Sequence, residues 1–319
     1  LEVIANPFEG PEKKLEIILA SPQPGLRSNE DGRWRRVVEA SRAAILSQVS
    51  TEAVDAYLLS ESSLFVWDDR ILMITCGKTV LVEALPKILD IVGSDQVAFV
   101  FYEQKNFMFP QEQPSRFELD VQTVTRYFPG KFYKLGPANR DHVNVFYSSH
   151  GGEAPSGDAT LQILMHDLDS RAMAPFCNAD LLTARQVEQR TGLDNLYPRP
   201  MVTDGFLFTP CGYSVNGVHG ADYYTIHVTP QDQGSYVSFE TNIFEHDYSV
   251  TLGRVISTFR PGRFSVVLTT SMDEECLPAH DTLEKKVAGY QMTDKSWYEF
   301  DCGYSVSFLN YEIMLEERN

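Results

Sequence analysis

The chain has 319 residues, 43% hydrophobic and 22% charged, enough for one large domain or two ordinary ones with a sizeable core. Lysine and arginine number 27 against 44 aspartates and glutamates, a formal net charge of −17, which disfavours a nucleic-acid binder with its broad basic face and admits cationic partners. No apolar run approaches the roughly 18–20 residues that cross a bilayer, and the opening Leu1-Glu2-Val3 lacks the pattern of a secretory signal, so neither membrane insertion nor export is expected.

Pro11 suits the first position of a helix, with Leu15, Ile17, Ile18 and Leu19 behind it and Glu9 and Glu12 near its positive end. Trp34, Val37, Val38, Ser41, Ala44 and Ile45 fall at helical spacing over Arg33–Ser47. Val54–Leu59 and Leu64–Ile74 are rich in strand formers, and Asp68-Asp69 makes a turn inside the second run. Thr79–Val92 reads as a helix interrupted at Pro86. Val97–Tyr102 then reads as a strand, Glu118–Phe128 as a helix, and Phe132–Leu135 and Val143–Ser148 as strands. The second half has the same texture. Strands are expected at Phe206–Phe208, Tyr223–Val228, Tyr236–Phe239, Phe264–Thr270, Val287–Gln291 and Tyr304–Leu309, with a helix at Ser249–Thr258. Many strands joined by short turns, with fewer and clustered helices, favour antiparallel sheets covered by helices.

The five cysteines, 76, 177, 211, 276 and 302, are scattered and form no CxxC pair. No disulfide scaffold or zinc ribbon is expected, and a reducing cytosol is the expected compartment. The seven histidines form no HxH or HxxxH pair, so nothing supports a metal site. Neither GxGxxG nor GxxxxGK[ST] occurs, which leaves a nucleotide cradle without support.

Four polar residues, Ser60-Glu61-Ser62-Ser63, interrupt the apolar run Leu58 to Val66. Locally they read as a hairpin turn; Ser62 becomes a nucleophile only where something elsewhere activates or strains it. Phe208 to Gly217, with its Gly, Pro and Asn, reads as a loop holding a buried Cys211. Alternation places Tyr223, Thr225 and His227 on one strand face, where a lone histidine is more often structural than a base. Cys76, between a strand and a loop, reads as a small core residue.

Taken in order, several blocks together resemble the eukaryotic S-adenosylmethionine decarboxylase proenzymes. They are Phe8-Glu9-Gly10-Pro11-Glu12-Lys13, Leu58 to Val66, Thr75-Cys76-Gly77, Pro210-Cys211-Gly212-Tyr213-Ser214, Thr225-Ile226-His227-Val228-Thr229-Pro230 and Ser235 to Asn242. The resemblance implies an α+β fold, a four-layer α/β/β/α sandwich of two antiparallel sheets with similar N- and C-terminal halves. It implies one domain over 1–319 that cuts itself into 1–61, the β chain, and 62–319, the α chain, which stay folded together.

Carried over residue by residue, the Ser62 hydroxyl attacks the Glu61 carbonyl with help from Ser214. His227 removes the Ser62 α-proton, and Ser62 ends as a pyruvoyl group that takes the substrate amine as a Schiff base. No metal is implied. Cys76 matches the proton donor, and Phe8 and Phe208 match the rings between which adenine stacks, in a substrate-binding set that includes Leu59. Glu9 and Glu12 come with the N-terminal motif as active-site carboxylates. The substrate is S-adenosylmethionine, and the product is an aminopropyl donor for spermidine and spermine.

Two departures matter. Gln231 stands where the family has a ribose-binding carboxylate; it loses the charge-assisted bond, so weaker substrate binding is expected unless Asp232 compensates. Glu16, Asp158, Thr160 and Glu240 match a buried site that binds putrescine in animal members, but Gln162 and Ile74 replace an acid and a lysine there. Animal members are homodimers and plant members monomers, and both states stay open. A competing reading is a non-catalytic regulatory paralogue that binds and activates a true decarboxylase; the presence of Ser62, Cys76, Ser214 and His227 argues against it. A serine hydrolase using Ser62 and His227 lacks the GxSxG elbow.

Overall fold

The computed structural model describes residues 8–151, 154–231 and 233–314. The first half folds into eight strands: β1 (Lys13–Leu19), β2 (Ile45–Ser50), β3 (Asp55–Leu59), β4 (Ser62–Val66), β5 (Arg70–Thr75), β6 (Val97–Lys105), β7 (Lys131–Leu135) and β8 (Val143–Ser149). They form one antiparallel sheet in the order β2-β3-β4-β5-β1-β6-β8-β7. The second half supplies β9 (Ala159–Leu168), β10 (Val202–Leu207), β11 (Tyr213–His219), β12 (Asp222–Thr229), β13 (Tyr236–Thr241), β14 (Pro261–Ser271), β15 (Tyr290–Glu299) and β16 (Tyr304–Ile313). Their sheet order is β10-β11-β12-β13-β9-β14-β16-β15, the first order with eight added to each strand. The halves therefore repeat one topology, in which β4 corresponds to β12 and β3 to β11.

Each sheet is covered on its outer face. Helices α1 (Arg33–Ala40), α2 (Leu85–Val92) and α3 (Phe117–Val124) set Trp34, Ile88 and Val124 against Leu15, Ile17 and Leu64. Helices α4 (Ser170–Met173), α5 (Ala184–Thr191), α6 (Ser249–Phe259) and α7 (Leu277–Thr282) do the same for the second sheet, with Val187, Val255 and Ala279 against Ile163, Ile226 and Val266. The inner faces meet in two further clusters, Ile18, Phe99 and Phe101 with Leu164, Val267 and Tyr304, and Phe65 and Leu72 with Val218 and Tyr223. The result is the four-layer α/β/β/α sandwich, an α+β fold.

The helix expected from Pro11 is instead the central strand β1, paired with β5 on one side and β6 on the other, with all seven residues buried. A strand covered on both faces carries a near-continuous apolar run that periodicity alone does not separate from a helix. Odd positions face the helices and even positions the second sheet. Helix α1 ends at Ala40 rather than Ser47, because Arg42 takes a left-handed conformation (φ 69°), and the chain re-enters as edge strand β2. Tyr213–Gly217, expected as loop, is the body of β11. Strand β9 and helix α5 were not anticipated, although Thr183 and Gln186 form a capping box that opens α5. The final hairpin begins at Tyr290, so only the end of the expected Val287–Gln291 strand is strand. Among the described residues no helix is long and apolar enough to cross a membrane.

Candidate active site

Ser60 and Glu61 form the turn between β3 and β4, and Leu59 pairs with Ser62 across it. The hairpin is therefore present, and the strain needed for the second reading of Ser62 is present too. Ser62 has φ 117°, a region that L-residues rarely enter and that costs about 1–3 kcal/mol. Its hydroxyl donates to Cys76 Sγ at 3.3 Å, and the Cys76 backbone N–H donates to the Glu61 carbonyl at 3.1 Å. The end of β5 thus grips both sides of the Glu61–Ser62 peptide bond. Burial, then Glu61 and Glu12, push the Cys76 thiol well above its ordinary pKa, so it keeps its proton.

From the second half, β11 and β12 deliver the polar partners in register. Ser214 lies opposite His227, and Asn216 opposite Thr225. The His227 ring is held at both nitrogens, Nδ1 at 2.9 Å from Ser214 Oγ and Nε2 at 2.9 Å from Thr225 Oγ1. Burial lowers its pKa to about 3, so the imidazole is neutral. The two halves meet at Ser63, whose hydroxyl donates to Asn216 Oδ1 at 2.7 Å and lies 3.3 Å from His227 Nε2.

A cavity of about 610 Å³ collects these groups: Phe8, Glu61, Ser62, Cys76, Phe208, Ser214, His227 and Gln231 all line it. Other expected site residues lie elsewhere. Leu59 is fully buried in the core under the helices. The Glu9 carboxylate accepts the backbone N–H groups of Met108 and Phe109, at 2.9 and 2.7 Å, and its carbonyl accepts the N–H of Gly77. It anchors the segment after β6 and does not line the cavity. Glu12 accepts the Ser238 hydroxyl at 2.6 Å in the layer between the sheets, where burial pushes its pKa up to about 8. Burial also raises the Glu61 carboxyl to about 7, against the pull of Lys13. Gln231 bonds the backbone of Phe8; Asp232, its expected helper, lies outside the described residues.

Cys177 and Cys211 form a disulfide that ties the turn after α4 to the loop between β10 and β11, and both line the cavity. Cys211, read from the sequence as a buried loop cysteine, is thus bonded to a residue 34 positions away that meets it at this wall. Among the described residues no group of three or more His, Cys, Asp or Glu is placed to hold a metal ion.

The acidic residues matched to an effector site are paired by cations of the chain itself. Lys14 Nζ lies 3.3 Å from Glu240 and 3.7 Å from Glu16, while Arg70 reaches Glu16 at 3.1 Å and Asp158 at 2.8 Å. Tyr223 donates to Glu240 and Tyr304 to Asp158, Gln162 donates to Glu103, and Thr160 is buried in β9 opposite Thr269. Burial works against the charge of Lys14, but Glu240, Glu103 and Glu16 hold its ammonium above the ordinary lysine range. The space left among Glu12, Lys14, Ile74, Glu103 and Glu240 is about 20 Å³, which fits a single water. Lys14 and Arg70 were missed, yet strand alternation places Lys14 and Glu16 of β1 on one face.

The family model described as adenosylmethionine decarboxylase matches residues 5–312. An S-adenosylmethionine decarboxylase proenzyme of Dictyostelium discoideum is 35% identical, covering 98% of this chain and 87% of the relative. One from Xenopus laevis is 34% identical over 97% of this chain and 96% of its own length. Among solved structures, the crystal structure of the Trypanosoma brucei AdoMetDC-delta26 monomer matches with a TM-score of 0.65 and 28% identity, covering 79% of this chain and 99% of that one.

Proposed function

The chain belongs to the adenosylmethionine decarboxylase family, and from that membership we propose that it decarboxylates S-adenosylmethionine with a group made from its own Ser62. One observation carries the reading. A strained serine holds its hydroxyl against Cys76 in the cavity that also contains His227.

The first step belongs to the backbone. The Ser62 hydroxyl attacks the Glu61 carbonyl carbon, and the amide becomes an ester as the Ser62 nitrogen leaves. The Cys76 N–H already bonded to the Glu61 oxygen meets the negative charge that develops there. Relief of the positive φ at Ser62 favours the rearrangement. His227, neutral and therefore able to accept a proton, then takes the Ser62 α-proton. The Cβ–O bond breaks, Glu61 leaves as a carboxylate, and the dehydroalanine left at residue 62 takes up water and loses ammonia.

The cavity fits the pyruvoyl group so formed, because the residues that make it are those that line the substrate space. When present, that group supplies the conjugated carbonyl into which the electrons of the departing carboxylate pass, which no unmodified side chain offers. The remaining work is done by side chains. Phe8 and Phe208 offer ring faces to the adenine and to the sulfonium charge. Cys76 holds a proton beside residue 62, ready for the α-carbon of the product. The product is a decarboxylated sulfonium, an aminopropyl donor for polyamine synthesis.

Intact-mass analysis of the purified protein tests this reading. The expected result is two chains, 1–61 and 62–319, the second lacking a free amino terminus, with Ser62→Ala remaining whole and releasing no carbon dioxide from carboxyl-labelled substrate. A wild-type chain that stays uncut overturns it.

A further inference from the structure

Three residues around His227 are left without a role by the chemistry above: Ser63, Asn216 and Thr225. All are buried, and Asn216 and Thr225 lie behind His227 rather than on the cavity. Two of their hydrogen bonds converge on one acceptor, while the 3.3 Å contact between the Ser63 and Thr225 hydroxyls can run either way. Ser63 Oγ and Thr225 Oγ1 both donate to Asn216 Oδ1, at 2.7 and 2.9 Å. With its single proton on Asn216, each hydroxyl turns only lone pairs toward His227 Nε2, which lies 2.9 Å from Thr225 and 3.3 Å from Ser63. Nε2 must then be the nitrogen that carries hydrogen. In a neutral imidazole this leaves Nδ1 as the acceptor, and Nδ1 faces Ser214 Oγ at 2.9 Å on the cavity side.

The opposite orientation of the Asn216 amide would reverse every bond in the chain. Its NH2 would donate to the two hydroxyls, a hydroxyl would donate to Nε2, and the proton would move to Nδ1. The 2.7 Å separation from Ser63 is the usual length of an O–H···O bond and short for N–H···O, which supports the oxygen in that place. Among the described residues Asn216 Nδ2 has no hydrogen-bond partner.

We propose that Asn216 is a positioning residue that, through Thr225 and Ser63, fixes His227 as the Nε2–H tautomer and leaves Nδ1 as its basic nitrogen. This deepens the self-processing reading above and rests on it for its catalytic meaning. If the wrong nitrogen carried the proton, the cavity-side nitrogen would have no lone pair for the Ser62 α-proton. The ester would then form and fail to eliminate.

The tautomer is read by ¹⁵N NMR of histidine-labelled full-length protein, with the His227→Gln spectrum assigning the signal. Expected are a pyrrole-type Nε2 and a pyridine-type Nδ1 in the parent and in Asn216→Asp, which keeps the acceptor, and a mixed or inverted pair in Asn216→Leu. In a processing time course, Asn216→Leu is expected to accumulate a hydroxylamine-sensitive ester and complete elimination about 10- to 100-fold more slowly, with Asn216→Asp close to the parent. A parent with hydrogen on Nδ1 overturns the proposal. So does an Asp variant that behaves like the Leu variant, since the acceptor would then not be what matters. If the parent is never cut at Glu61–Ser62 the self-processing reading fails by itself, and the NMR still decides the tautomer.

Discussion

The side-chain amide of Gln231 holds both backbone groups of Phe8: Oε1 accepts the Phe8 N–H at 2.9 Å, and Nε2 donates to the Phe8 carbonyl at 2.6 Å. An amide offers a donor and an acceptor at once, which an ionised carboxylate does not. Gln231 is thus committed to positioning one of the cavity's two aromatic faces, a use of the residue different from a weakened sugar contact. Gln231→Glu would keep the acceptor and set a carboxylate oxygen against the Phe8 carbonyl. It is expected to raise KM for S-adenosylmethionine about 3- to 10-fold with a smaller change in kcat, as for the loss of one hydrogen bond. A KM below that of the parent would return Gln231 to direct contact with the substrate.

Lys14 makes the acidic layer self-sufficient. Decarboxylation and processing are expected to be unchanged across a putrescine titration, since Glu240 and Glu16 already have a cation and the remaining space fits one water. Lys14→Met leaves Glu16 with Arg70 but strips buried Glu240 of its cation, a loss on the order of 3–5 kcal/mol. Its Tm is expected to fall, and added diamine to raise it more than it raises the parent's. Stimulation of the parent by putrescine would refute the assignment.

Gly77 has φ 62°, and a Cβ there would sit 2.6 Å from the Glu61 carboxylate and 2.9 Å from the Phe8 ring. Gly77→Ala is expected to slow cleavage and to raise KM, each about 10-fold, because it displaces the scissile turn and the stacking ring together. Processing assays and steady-state kinetics check both effects; a variant that processes at the parental rate would show that the loop gives way freely.

Glu12 gives a pH signature. Its carboxyl titrates near 8 when folded and near 4.5 when free, because burial disfavours the charge. A raised folded pKa stabilises while the group is protonated, so its contribution is fully present below about 4.5 and is lost as pH rises toward about 8. Glu12→Gln removes that loss. The Tm of the variant relative to the parent is expected to climb steadily from pH 5 to pH 8 and then level off. A constant difference across that range would place the Glu12 titration elsewhere.

The letters alone carry much of the local structure. The hairpin at Ser60-Glu61, the turn at Asp68-Asp69 and helix α6 follow from turn chemistry and helical spacing, and the structure has them; Pro86 does not break its helix but stands in the first turn of α2, where its missing N–H costs nothing. Thr225 and His227 were already on one strand face by alternation. Strand β1 was misread because an apolar run buried on both sides loses the period that separates strand from helix. Ser214 was named through the resemblance alone, and Asn216 was hidden, because both lie in a segment whose glycines and prolines suggest a loop.

The chemistry available is written in the chain itself: which residues bear hydroxyl, thiol, imidazole and carboxylate, and the order in which the motif blocks occur. Only the tertiary structure decided which of them meet. The pairing of β4 and β5 presses Cys76 against the Glu61–Ser62 bond, the register of β11 and β12 sets Ser214 and Asn216 to either side of His227, and the facing of the two sheets joins Ser63 to Asn216. It also decided that Glu9 anchors a loop, that Leu59 is core, that Cys177 finds Cys211, and that Lys14 and Arg70 neutralise the acidic layer. The physical reason is the same in each case. Hydrogen bonds and ion pairs act over about 3–4 Å, and distances of that order between residues tens to hundreds of positions apart are set by strand register and sheet packing.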